Sequence, residues 1–146
     1  MDIRILADRE SVYEVYLDGE KAERYCGDNT REVFFTKKYV VKLDCSNGER
    51  ATNQSQRENS IWKKVKKSHR SLFVPILEYK SFGKWKAVVQ PKIDFTEGCG
   101  DEVENHKDYD VVTNILVSEY GVCDTWDGWN IGITRENKLV CYDYGI

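Results

Sequence analysis

Proline and histidine are scarce, two of each in 146 residues, and no pair among the five cysteines (Cys26, Cys45, Cys99, Cys123, Cys141) has C-x-x-C spacing. An odd set of thiols beside so few imidazoles argues against a zinc site or a disulfide framework and predicts reduced cysteines. No run approaches the roughly 18 apolar residues of a membrane helix, and the opening MDIRILADRE has neither the basic nor the apolar region of a secretory leader. A cytoplasmic protein with no membrane partner is expected. Excess positive charge is missing too: 22 Lys and Arg stand against 25 Asp and Glu, a net −3, which argues against nucleic acid as a partner. Repeats and low-complexity tracts are absent, so nothing marks a linker except the hinge-like Gly98-Cys99-Gly100. What remains, 40% hydrophobic and 32% charged residues, is the composition of a globular domain.

Residues 11–17 alternate as a strand, Asp18-Gly19 follows as a turn pair, and a second extended run reaches Tyr25, which predicts a hairpin. After the turn-forming Cys26-Gly27-Asp28-Asn29, residues 31–36 and 38–43 predict a second hairpin. A polar loop over 44–48 leads to a helix over 52–67, closed by 68–71. Runs 72–79 and 84–90, joined at Ser81-Phe82-Gly83, predict two more strands of the same sheet, with Pro91 at the end, where its missing N–H is tolerated. Beyond a turn-rich stretch over 96–102, Tyr109, Val112, Leu116 and Tyr120 recur at helical spacing within 108–120, and Gly121 stands where the helix stops. Finally, 130–134 and 139–143 flank Arg135-Glu136-Asn137-Lys138 as a four-residue hairpin loop. The order predicts an α+β fold: a five-stranded antiparallel sheet with one helix over 1–95, then a helix and a β-hairpin over 96–146.

Two constellations carry chemistry. Glu58, Ile61, Trp62 and Val65 fall at i, i+3, i+4 and i+7, so a carboxylate shares the apolar stripe of the first helix. Burying it costs several kcal/mol unless a cation pairs with it. Lys42, inside the apolar run Tyr39-Val-Val-Lys-Leu43, is the expected partner; the alternative has Glu58 at the stripe's edge and Lys42 reaching water. In the last hairpin, a loop at 135–138 would set Thr134 against Leu139 and Asn130 against Asp143. Facing Cβ atoms about 4.5 to 5.5 Å apart would let an amide oxygen and a carboxylate share a hard cation such as Mg²⁺.

Here the residues resemble a family. Val40-Val41-Lys42 resembles the β3 lysine motif of protein kinases, Glu58 the helix-C glutamate that pairs with it, and Asp143-Tyr144-Gly145 the magnesium-binding triplet; Asn130 precedes that triplet by an interval similar to that of the catalytic-loop asparagine. The resemblance covers residues 25–145 and implies an ATP site with Mg²⁺. Lys42 would hold phosphates and Glu58 would orient Lys42. Gln90 would lie in the Val89-Gln90-Pro91-Lys92 hinge that receives adenine, Gly27 in the loop that covers phosphate, Asn130 and Asp143 on the metal, and Asp124 beside the acceptor hydroxyl.

The departures shape the expected function. Val122-Cys123-Asp124 lacks the histidine and arginine of a kinase catalytic loop, and Asp127 rivals Asp124 as the base. The loop before Arg31 offers only Gly27, and the chain ends at Ile146, just past the triplet, with no counterpart of the activation segment or the peptide-docking helices. The resemblance thus implies a truncated kinase-like protein, small and viral or bacterial, in which nucleotide binding outlasts fast phosphoryl transfer. The alternative is a non-catalytic pseudokinase, of viral or mobile-element origin, that binds and inhibits a host protein. Six basic residues between Lys63 and Arg70 read as the solvated end of a helix, favoured by its macrodipole. Trp126 and Trp129 serve either as an exposed aromatic patch or as a plug beneath the last hairpin.

Overall fold

A computed structural model gives the fold and describes residues 1–8, 11–25, 31–45, 53–97, 100–123, 125, 128 and 130–145. The chain forms two compact units, one of residues 1–56 and 76–92, the other of residues 57–75 and 93–146. Among the described residues no helix is long and apolar enough to cross a membrane.

The first unit is built from two antiparallel sheets. Strands β1 (Ile3–Ala7), β2 (Val12–Leu17) and β3 (Glu20–Lys21) form one of them. Asp18 and Gly19 both take positive φ, 49° and 82°, which closes β2 onto β3 with the two-residue turn that an Asp-Gly pair favours. The other sheet has the order β4-β5-β6-β8-β7, from β4 (Glu23–Arg24), β5 (Glu32–Phe35), β6 (Tyr39–Cys45), β7 (Glu78–Phe82) and β8 (Trp85–Pro91). The extended run ending at Tyr25 is thus two strands in different sheets. The chain changes sheets at Ala22, which is buried and whose N–H donates to the Val15 carbonyl. Strand β1, in which Ile3, Ile5 and Ala7 alternate with polar or exposed neighbours, lies outside the hairpins expected from the sequence. Ile3, Val15 and Leu17 pack with Phe34, Val41, Leu43, Trp85, Ala87 and Val89 as the core of this unit.

The apolar run from Leu72 does not begin a strand. Helix α1 (Gln54–Lys64) is followed by a 3₁₀ helix (Lys67–Leu72); Phe73 then makes a single parallel bridge with Cys141, and strand β7 starts only at Glu78, beyond Pro75. Pro75 explains the delay, since it cannot donate to a ladder.

Helix α1 passes into the second unit at Arg57. That unit also holds β9 (Phe95–Glu97), the short helix α2 (Asp101–Glu104), α3 (Tyr109–Tyr120), β10 (Ile131–Thr134) and β11 (Leu139–Cys141), with sheet order β11-β10-β9. Strand β9 and helix α2 occupy the stretch expected to be turns. Helix α3 buries Val112 and Leu116 and ends at Gly121 with φ 64°; there the Gly121 and Val122 N–H groups return to Val117 and Leu116. That is the left-handed stop a glycine permits. The last hairpin departs from expectation by one residue. Ile131 pairs with Cys141 and Ile133 with Leu139, so the loop has three residues rather than four. The Thr134 hydroxyl accepts from the Lys138 N–H at 3.2 Å and Asn137 takes φ 61°, which close the shorter loop.

Candidate functional site

In the first unit the chemistry lies on one face of a strand. Val41 and Leu43 of β6 enter the apolar core, so Val40, Lys42 and Asp44 take the opposite face. Lys42 is in register with Val33 on β5 and Val88 on β8, and Val88 with Tyr79 on β7, which sets lysine and phenol in one row across the sheet. Gln90 pairs with Val40 and belongs to the same face. Lys42 is 7% exposed, Asp44 3% and Gln90 2%. Burial, and then the negative charge of Asp44, raise the Tyr79 pKa above its ordinary 10.0.

Asp44 and Arg31 are the residues that sequence reasoning missed. Asp44, expected in a polar loop, belongs to strand β6 instead, and its Oδ2 accepts the Ser55 N–H at 3.2 Å in the first turn of α1. A carboxylate there meets one of the helix's unpaired donors and the positive end of its macrodipole. Arg31, 4% exposed, donates to the Ser55 hydroxyl at 3.4 Å. The available signal was parity, because a strand extended by two residues puts Asp44 beside Lys42.

In the second unit, Glu58 lies on α1 and is completely buried, together with Val65 of the same stripe. Its Oε2 accepts the backbone N–H of Tyr144 at 3.0 Å. Tyr144 is itself fully buried; its hydroxyl donates to the Val74 carbonyl at 2.8 Å, and its ring meets Phe73 edge-on with centroids 5.0 Å apart. Asp143 is half-buried, and its carbonyl receives the Cys141 thiol at 3.5 Å. Asn130, with φ 64°, accepts the Tyr142 N–H on its carbonyl at 2.9 Å.

The expected opposition of Asn130 and Asp143 is therefore corrected: Asn130 faces Tyr142, because the loop is one residue shorter, and a one-residue slip changes which side chains share a face. Both residues still come from the two sides of one ribbon. Their donors, an amide oxygen and a carboxylate, suit a hard cation. No group of three or more His, Cys, Asp and Glu is gathered among the described residues; Asn130 and Asp143 would supply two of the oxygens that a Mg²⁺ ion takes. Gly27, Asp124, Asp127, Trp126 and Trp129 lie outside the described residues.

No family model and no curated protein matches the sequence. Solved structures do match the fold. The protein WbdD, described as a bifunctional kinase-methyltransferase, aligns over 99% of this chain and 40% of its own, with TM-score 0.60 and 16% identity. WbdD bound to the kinase inhibitor LY294002 aligns over 90% of this chain and 34% of its own, with TM-score 0.51 and 16% identity. Rad53 in complex with AMP-PNP aligns over 86% of this chain and 38% of its own, with TM-score 0.54 and 11% identity. The chain spans about two fifths or less of the length of these structures. At such identities the likeness speaks of architecture, and the architecture of this α+β chain is kinase-like.

Proposed function

We propose that this chain binds ATP with Mg²⁺ and is a nucleotide-binding domain rather than a fast phosphotransferase. Lys42 holds phosphate oxygens and Glu58 orients Lys42. Asn130 and Asp143 ligate the metal, the backbone around Gln90 receives the adenine, and Gly27 serves the phosphates. Asp124 is the base for the acceptor hydroxyl in this reading. The lysine is the observation that supports it most. An ammonium 7% exposed in mid-strand, on the face turned away from the apolar core, is costly to keep for packing alone, and the kinase-like fold gives that position a use. Phosphoryl transfer depends on positioning and charge stabilisation, which a lysine and two oxygen ligands on a divalent ion supply to the nucleotide.

Titration with Mg·ATP, followed by calorimetry and thermal shift, tests this. Saturable stabilisation is expected, weakened about tenfold or more in affinity by Lys42→Ala and by Asp143→Ala, a loss of roughly 1.4 kcal/mol each. Absence of any response at millimolar nucleotide overturns the reading.

A further inference from the structure

We infer that Glu58 is a positioning residue for the acidic metal ligand, acting on Asp143 through the backbone of Tyr144, which serves as the clamp. The inference rests on reading Asp143 as a ligand of magnesium and adds a role for Glu58 that lysine pairing does not contain.

The argument starts from a burial cost. A carboxylate with 0% exposure has to be met by donors, and one donor to Glu58 is a main-chain N–H 86 residues away in sequence, that of Tyr144 at 3.0 Å. Tyr144 is held at two further points, its hydroxyl on the Val74 carbonyl at 2.8 Å and its ring edge-on against Phe73. Val74 returns its own N–H to the Cys141 carbonyl at 2.9 Å, and the Cys141 thiol reaches the Asp143 carbonyl. The backbone is therefore tied two residues before Asp143 and again one residue after it. With planar peptides between, the remaining backbone dihedrals hold the direction in which the Asp143 Cα–Cβ bond leaves the chain. A ligand aimed in advance loses less freedom when a cation arrives. Tyrosine rather than phenylalanine matters here, because only the hydroxyl makes the tie to Val74.

Mn²⁺ is the probe, titrated into the full chain without nucleotide and read by electron paramagnetic resonance. Tyr144→Phe keeps the ring packing and removes one hydrogen bond; it is expected to weaken Mn²⁺ binding about threefold to tenfold. Glu58→Ala is expected to weaken it more than about tenfold, and Glu58→Gln, whose amide oxygen still accepts the Tyr144 N–H, to restore most of the loss. A merely structural role would lower the melting temperature without this ordering. Two results overturn the inference: Glu58→Gln binding as poorly as Glu58→Ala, which would make charge the quantity that counts, or unchanged affinity in Tyr144→Phe. Should the wild type hold no Mn²⁺ that Asp143→Ala abolishes, the metal reading fails instead. Hydrogen exchange then decides the clamp separately: exchange at the residue 144 and 145 amides accelerated about fivefold or more in Tyr144→Phe supports it, and unaltered exchange refutes it.

Discussion

Gly132 shows how tightly single positions are specified. It lies in mid-strand opposite Val140, and a methyl group built on it would stand 2.7 and 2.8 Å from Cγ and Cε1 of Phe95, with Cδ1 closer still. The ring of Phe95 lies across the ribbon at that point, tilted against Tyr142 with centroids 5.5 Å apart. Gly132→Ala should therefore destabilise the chain by about 1–3 kcal/mol through overpacking, read from the denaturant midpoint, and Phe95→Leu in the same chain should recover part of the loss. Tyr79 gives a pH signature. Its pKa is raised in the folded state, first by burial and then by Asp44, so the neutral phenol is favoured there. Its contribution is complete below the unfolded value near pH 10 and lost as pH rises through the higher folded one. Tyr79→Phe should accordingly show a smaller loss of unfolding free energy than the wild type between about pH 9 and pH 11; equal losses would contradict the shift.

Among the described elements, helix α1 has its start set from a distant strand. Its first turn contains no acidic residue, and the capping carboxylate comes from Asp44, eleven residues earlier on β6. Asp44→Ala should cost about 0.5–2 kcal/mol of stability, and Asp44→Asn, which keeps an oxygen acceptor, visibly less. Chemical denaturation of the two variants distinguishes a cap from a charge effect. Helix α3 was legible because Val112 and Leu116 recur at helical spacing and Gly121 has no Cβ to forbid its left-handed stop. The last hairpin was legible as a hairpin but not in register. Choosing three loop residues over four depended on the Thr134 hydroxyl and on Asn137 accepting positive φ, and neither choice leaves a periodic trace. The strand placed at Leu72 failed for a related reason: apolar content alone does not separate a strand from a segment packed edgewise, such as Phe73 and Val74 beside Cys141.

For the molecule as a whole, a ligand that binds only the folded chain adds RT ln(1 + [L]/Kd) to its stability, about 2.7 kcal/mol at a hundredfold excess over Kd. The Mg·ATP experiment can therefore be read as a rise in melting temperature that grows with the logarithm of nucleotide concentration. Lys42→Ala and Asp143→Ala should shift that curve to higher concentration without changing its slope. The lysines at 63, 64, 66 and 67 and Arg70 are exposed, as expected of a solvated helix end, and Arg70 lies over the ring of Trp62.

Sequence alone determined what depends on near neighbours. Alternation puts Lys42 on the face opposite Val41 and Leu43, helical spacing puts Glu58 in an apolar stripe, and Asp18-Gly19 turns the chain. Tertiary structure decided what depends on distant ones: that Glu58 receives the amide of Tyr144, that Asp44 caps the helix beginning at Gln54, and that the extended run ending at Tyr25 divides between two sheets. Local periodicity comes from the geometry of the backbone and is written into every few residues. A buried carboxylate can be met by any donor the fold delivers, and which one arrives is settled only when the chain has closed on itself.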